Sequence, residues 1–126
     1  MSDADSQQVQ RRTMVEYRGS GVLTVARHDG SGAVTITVQG EIDLATAGQL
    51  RDAIIAAVTD AEPDISLVVD LAELRFIDSA GISALLRGRR SALAAGRTFR
   101  VDGAAGLVLE VLQLTGVWSL LSGEAV

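Results

Sequence analysis

The run "DISLVVDL", Asp64 to Leu71, limits what this chain can become more than any other stretch. It is short, mostly apolar and rich in β-branched residues, the pattern of a central strand buried on both faces. A few residues later "SAGISALLRGRRSALAAG" changes period. Ile82, Leu85, Leu86 and Leu93 then fall on one helix face, and Gly96 supplies a C-terminal cap. A buried strand handing over to a helix is the repeating unit of an α/β domain.

The flanking segments extend that unit. "GVLTVARHDGSGAVTITVQG" alternates apolar and polar residues on either side of Asp29-Gly30-Ser31-Gly32, with Val34, Ile36 and Val38 facing one way. This predicts a β-hairpin with His28 in its turn. In "GEIDLATAGQLRDAIIAAVTD", Thr46 and Gln49 have the spacing of a capping box. Leu50, Ile54, Ala57 and Val58 make an apolar stripe, and the helix should end near Asp60, before Pro63. "RTFRVDG" reads as a strand, "AAGLVLEVLQLTG" as a third helix closed by Gly116, and "VWSLL" as a short edge strand. The polar residues 1–18 read as a flexible arm. Right-handed crossovers should make the later strands parallel.

A chain of 126 residues has room for one such core and not for two. Its net charge of -5 argues against nucleic acid as a partner, since phosphate contacts need clustered positive charge. All 11 basic residues are arginine, which excludes a Schiff-base lysine and the lysine of a P-loop. There is no cysteine and a single histidine, so thiolate chemistry and a histidine-rich metal site are excluded. No apolar run approaches the roughly 20 residues that span a bilayer, and the N-terminus lacks the apolar core of a secretory signal. These features predict a cytoplasmic domain without direct membrane insertion.

Chemistry concentrates at Asp78-Ser79, between the buried strand and its helix. Either residue can cap the helix, for about 1 kcal/mol. The same helix start is electropositive and tolerates a phosphate. A hydrolase reading finds Ser79-x-Gly81 as half of a nucleophile elbow, but Ile77 replaces the first glycine. Its base would have to be His28, which precedes the serine. Glu41 and Asp43 suggest paired carboxylates or a hard-cation site without further ligands, or simply acids near a helix start. Arg87, Arg89 and Arg90 form a solvated helix face or a partner-contacting patch.

Four blocks in this order resemble the STAS domain family, specifically the bacterial anti-sigma factor antagonists: "VQGEIDLATA", "LVVDLAELRFIDSAGISALL", "AAGRTFRV" and "VLEVLQLTGVWSLL". The resemblance runs from about Gly21 to Leu121, and "FIDSAGISALL" is its most specific part. It implies a single α/β domain over residues 19–122, followed by a tail at 123–126. The sheet should be mixed, with four to five strands and three to four helices mainly on one side. By position, the resemblance makes Ser79 the phosphoacceptor. It places Glu41, Ile42, Asp43, Thr46, Asp78, Ala80, Gly81, Ile82 and Ser83 at the partner-binding surface.

The implied partner is an anti-sigma factor that is a serine kinase and itself binds ATP and Mg²⁺. The chain would then be a monomeric substrate and switch of transcription, holding no cofactor and catalysing nothing, and a phosphatase would reset it. A phosphate on Ser79 adds about -1.5 to -2 charges. A new like-charged pair at ~6 Å costs roughly 3 kcal/mol at an effective dielectric near 20, enough to weaken binding about a hundredfold. Many antagonists carry a second hydroxyl residue after the modified serine, and here that position is Ala80. STAS domains also serve as constitutive accessory subunits of transporters and sensor assemblies, which is the alternative reading.

Overall fold

The computed structural model describes residues 23–123. The expected arm at 1–18, and the tail beyond Gly123, lie outside the described residues. Strands β1 (Leu23–Asp29) and β2 (Ala33–Ile42) form the antiparallel hairpin. Helix α1 (Ala47–Asp60) leads to β3 (Ser66–Ile77), α2 (Ser79–Ala94) to β4 (Thr98–Asp102), and α3 (Gly106–Leu114) and α4 (Trp118–Leu121) close the described chain. The sheet order is β1-β2-β3-β4, with β2, β3 and β4 parallel.

This order explains why β3 is buried on one face only, against the expectation of burial on both. Both crossovers, β2–α1–β3 and β3–α2–β4, step the same way across the sheet. Two right-handed crossovers in one direction put both helices on the same side. Leu67, Val69 and Leu71 point into the core, while Val68 and Asp70 on the other face stay partly exposed. Opposite the sheet, α1 buries the stripe Leu50, Ile54, Ala57 and Val58, as its period predicts.

Strand β3 is longer than the apolar run suggests because it carries two irregularities. Its register with β2 shifts between Thr37 and Gln39 and again between Gly40 and Glu41. Each shift gives β3 an extra residue, so its inward positions change spacing from two (Leu67, Val69, Leu71) to three (Leu74, Ile77). The strand therefore reaches Ile77 and delivers Asp78 directly to the start of α2.

Four local expectations are corrected. His28 lies within β1 opposite Thr35, because the turn is confined to residues 30–32. "VWSLL" forms α4 rather than an edge strand, and Leu121 seals the core from that helical turn. On α2 the buried stripe is Gly81, Ala84, Leu85, Gly88 and Ala92, with Ile82 and Leu86 half-buried and Leu93 exposed. Small residues are selected by close neighbours: α1 packs against Gly88, where a Cβ would stand 2.7 Å from Ile54 Cδ1, and the strand ends pack against Gly81. Finally, Thr46 and Gln49 form no capping box. The Thr46 hydroxyl instead accepts from the Asp43 N–H and donates to the Glu41 carbonyl.

The ends of α1 and α2 are tied by specific contacts. Gly96, with φ +78°, ends α2 as the N–H groups of Gly96 and Arg97 return to the Leu93 and Ala92 carbonyls. The Arg97 guanidinium then donates to the carbonyls of Val58, Ala61 and Glu62 at the end of α1. Arg27 joins β1 to the same region through Asp60 and Asp29, and these hydrogen bonds raise its pKa above the ordinary value.

Candidate phosphoacceptor and partner-binding site

The site forms where β2 and β3 end side by side. Ile42 and Ile77 are register partners, and the Asp78 N–H donates to the Ile42 carbonyl at 3.2 Å. One residue later α2 begins, with Asp78 as its N-cap. Asp78 Oδ1 accepts from the backbone N–H groups of Ala80 (2.9 Å) and Gly81 (3.2 Å). Of the two caps the sequence allows, Asp78 is the one used. Ser79 is the first residue of α2 and is exposed, and among the described residues its hydroxyl makes no hydrogen bond.

Gly81 holds the two loops together. A Cβ there would stand 2.6 Å from Ile77 Cγ1 and 2.7 Å from Ile42 Cγ2, so the start of α2 rests on the ends of both strands. The other loop is organised by Asp43, whose Oδ1 accepts from the N–H groups of Ala45 (2.9 Å) and Thr46 (3.1 Å). Glu41 sits 3.7 Å from the Arg75 guanidinium in a half-exposed ion pair. Both acids thus have structural partners, and among the described residues no group of three or more acids and histidines is placed to hold a metal.

The resemblance-derived residues fall into three layers. Ser79 and Ser83 are exposed; Glu41, Asp43, Asp78, Ala80 and Ile82 are half-buried; Ile42, Thr46 and Gly81 are buried. The buried three shape the surface from below. Sequence reasoning missed Leu44, 84% exposed in the loop between β2 and α1, and Phe76, 38% exposed near the end of β3. It also missed Arg51, which with Arg87 flanks a furrow between α1 and α2. Leu44 is a large apolar residue in the loop before α1, outside any periodic apolar run, and this was the available signal.

The geometry removes the hydrolase reading. His28 pairs with Thr35, seven residues along β2 from Ile42, which places it roughly 23 Å from the site at about 3.3 Å per residue. A general base must lie within hydrogen-bond reach of its nucleophile.

A one-sided mixed sheet with an exposed serine at the start of the helix after its central strand defines a class of small domain. The family model described as "Mlab, STAS domain" matches residues 25–122, and the chain belongs to this STAS domain family. Among relatives, it is 38% identical over 63 residues to the anti-sigma-F factor antagonist RsfB of Mycobacterium tuberculosis. That alignment covers 50% of this chain and 50% of RsfB, so the chain spans about half the length of this relative. Among solved structures, an anti-sigma factor antagonist from Mycobacterium paratuberculosis superposes with a TM-score of 0.68 at 30% identity, covering 80% of this chain and 84% of that one. Unphosphorylated SpoIIAA of Bacillus gives 0.61 at 24% identity, over 75% and 84% of the two chains, a likeness of fold. Among the described residues no helix is long and apolar enough to cross a membrane.

Proposed function

We propose that this chain is an anti-sigma factor antagonist whose unmodified form binds an anti-sigma factor in the cytoplasm and frees its sigma factor, and that phosphorylation of Ser79 ends the binding. The observation that carries the reading is the Ser79 hydroxyl, exposed and free of hydrogen bonds among the described residues, on the first residue of a helix whose start is fixed by Asp78 and Gly81. Similarity to RsfB and to the M. paratuberculosis antagonist supports it.

In this reading the chain contributes an acceptor and a rigid surface. The partner kinase contributes ATP, Mg²⁺ and catalysis, and a phosphatase returns the chain to its binding form. A phosphate on Ser79 sits at the positive end of the α2 dipole, which offsets its repulsion from Asp78 and leaves the helix formed. The switch therefore acts at the interface: the new charge is presented to the partner while the fold persists.

The test is incubation with ATP, Mg²⁺ and the host's candidate anti-sigma kinases, followed by intact mass and peptide mapping. One phosphate on Ser79, with loss of the complex on a native gel, is the expected result. Ser79→Ala should bind without being modified, and Ser79→Glu should bind more weakly. Absence of modification, or a Ser79→Glu variant that binds as tightly as the unmodified chain, would overturn the proposal.

A further inference from the structure

The furrow between α1 and α2 runs on from the site along both helices. Its first stretch is floored by Ala47, Gly48, Ala80 and Ala84 and flanked by Arg51 and Arg87, with the exposed Leu44 at its mouth. Its second stretch is bounded by the same two arginines together with Ile55 and Arg90. Ser83 lines the furrow one helical turn beyond Ser79, so the proposed phosphate stands at its entrance.

Charge sets this furrow apart from the rest of an acidic chain. Arg27, Arg75 and Arg100 each have a carboxylate partner, and Arg97 is engaged by carbonyl groups. Helix α2 carries Arg87, Arg89 and Arg90 and no acid. Among the described residues none of these three has a carboxylate within ion-pair distance. Arg51 pairs with its exposed neighbour Asp52 at 3.2 Å, a contact worth little. Arg87 and Arg90, without a carboxylate partner among the described residues, thus place positive charge beside a small-residue floor and an exposed leucine, on the surface continuous with Ser79.

We infer that the furrow receives an acidic segment of the partner protein, with Arg51, Arg87 and Arg90 selecting its carboxylates and Leu44 supplying an apolar anchor. Arg87 and Arg90 are three residues, about 4.5 Å, apart along the helix axis and line the same stretch of the furrow, so both can meet one acidic segment. This rests on the reading of the chain as an anti-sigma factor antagonist. It deepens the switch: a phosphate at the entrance repels the same acidic segment that the furrow attracts.

The experiment measures affinity of the full chain for its anti-sigma factor by titration calorimetry, at low and at physiological salt. Arg87→Glu should weaken binding by ~10-fold or more and flatten the salt dependence. Arg89→Glu makes the same change in net charge on the far flank of α2, beside Leu93 and Leu120, and should bind as the parent does. Exchanging a partner carboxylate for lysine should restore binding to Arg87→Glu. Melting curves confirm that each variant is folded. Parent-like binding by Arg87→Glu, or equal weakening by Arg89→Glu, would overturn the furrow while leaving the antagonist reading intact. A parent chain that binds none of the candidate anti-sigma factors would overturn both.

Discussion

Gly88 sets the distance between α1 and α2, and Gly88→Ala measures how firmly that distance is held. In an exposed helix interior the change would gain up to about 1 kcal/mol from helix propensity. Here the new methyl would meet Ile54 Cδ1 at 2.7 Å, Cγ2 at 2.8 Å and Cβ at 3.3 Å, against an ordinary carbon contact of about 3.5–4.0 Å. Ile54 is fully buried, and its branch point lies too near its own backbone to swing aside. Overpacking of this kind costs about 1–3 kcal/mol, so it outweighs the propensity gain. Two contacts under 3.0 Å with a buried side chain place the cost in the upper part of that range, so the expected net loss is about 1–2 kcal/mol, a fall of roughly 5–15 °C in melting temperature for a domain of this size.

The assay is urea unfolding followed by circular dichroism, extended to a double-mutant cycle. Ile54→Ala alone should cost about 2–5 kcal/mol through the cavity it leaves. In Gly88→Ala/Ile54→Ala the methyl occupies part of that cavity and the clash with Cδ1 and Cγ2 is gone. The double variant should therefore be at least ~1 kcal/mol more stable than the sum of the single losses predicts. Additivity within about 0.5 kcal/mol, or a stabilised Gly88→Ala, would refute the packing argument.

Two further substitutions test how the helix ends are held. Asp78→Ala removes the acceptor of the Ala80 and Gly81 N–H groups and should cost about 1 kcal/mol, most of which Asp78→Asn restores; the urea midpoint reads both. Arg97→Lys replaces a guanidinium that reaches three carbonyls of the α1 terminus with a single ammonium, and should cost about 1–2 kcal/mol with an unchanged denaturant slope. A parent-like midpoint for Arg97→Lys would show that solvent serves those carbonyls equally well.

The element order was legible because hydrophobic period reports which side of each segment is covered. The stripe of α1, the hairpin and the Gly96 and Gly116 terminators all follow from local chemistry. What failed depends on the partner strand or on tertiary closeness. The residues "AELRFI" alternate by two in sequence but are buried every third residue, at Leu74 and Ile77, because β3 takes two extra residues against β2, and a bulge is a property of a pair of strands. Thr46 and Gln49 have capping-box spacing, but the Gln49 N–H donates to the Thr46 carbonyl, and the threonine hydroxyl turns back to the Asp43 N–H and the Glu41 carbonyl. The stripe of α2 was misplaced because large residues were taken as inward, whereas close approach selects small ones for the interior: Gly81 against the strand ends Ile42 and Ile77, and Gly88 against Ile54 of α1.

The same distinction separates the parts of the site. In sequence, "GEID" and "FIDSAG" look like a set of equivalent functional residues. In three dimensions most of their chemistry is spent on position: Asp43 organises one loop, Asp78 caps the helix that begins the other, and Gly81 lets both rest on Ile42 and Ile77. Ser79 retains an uncommitted hydroxyl among the described residues. A small domain needs this economy to serve as a charge switch. If the proposed acceptor also held the fold together, modifying it would unfold the chain; with Asp78 as the cap, a phosphate on Ser79 would change the surface charge and little else.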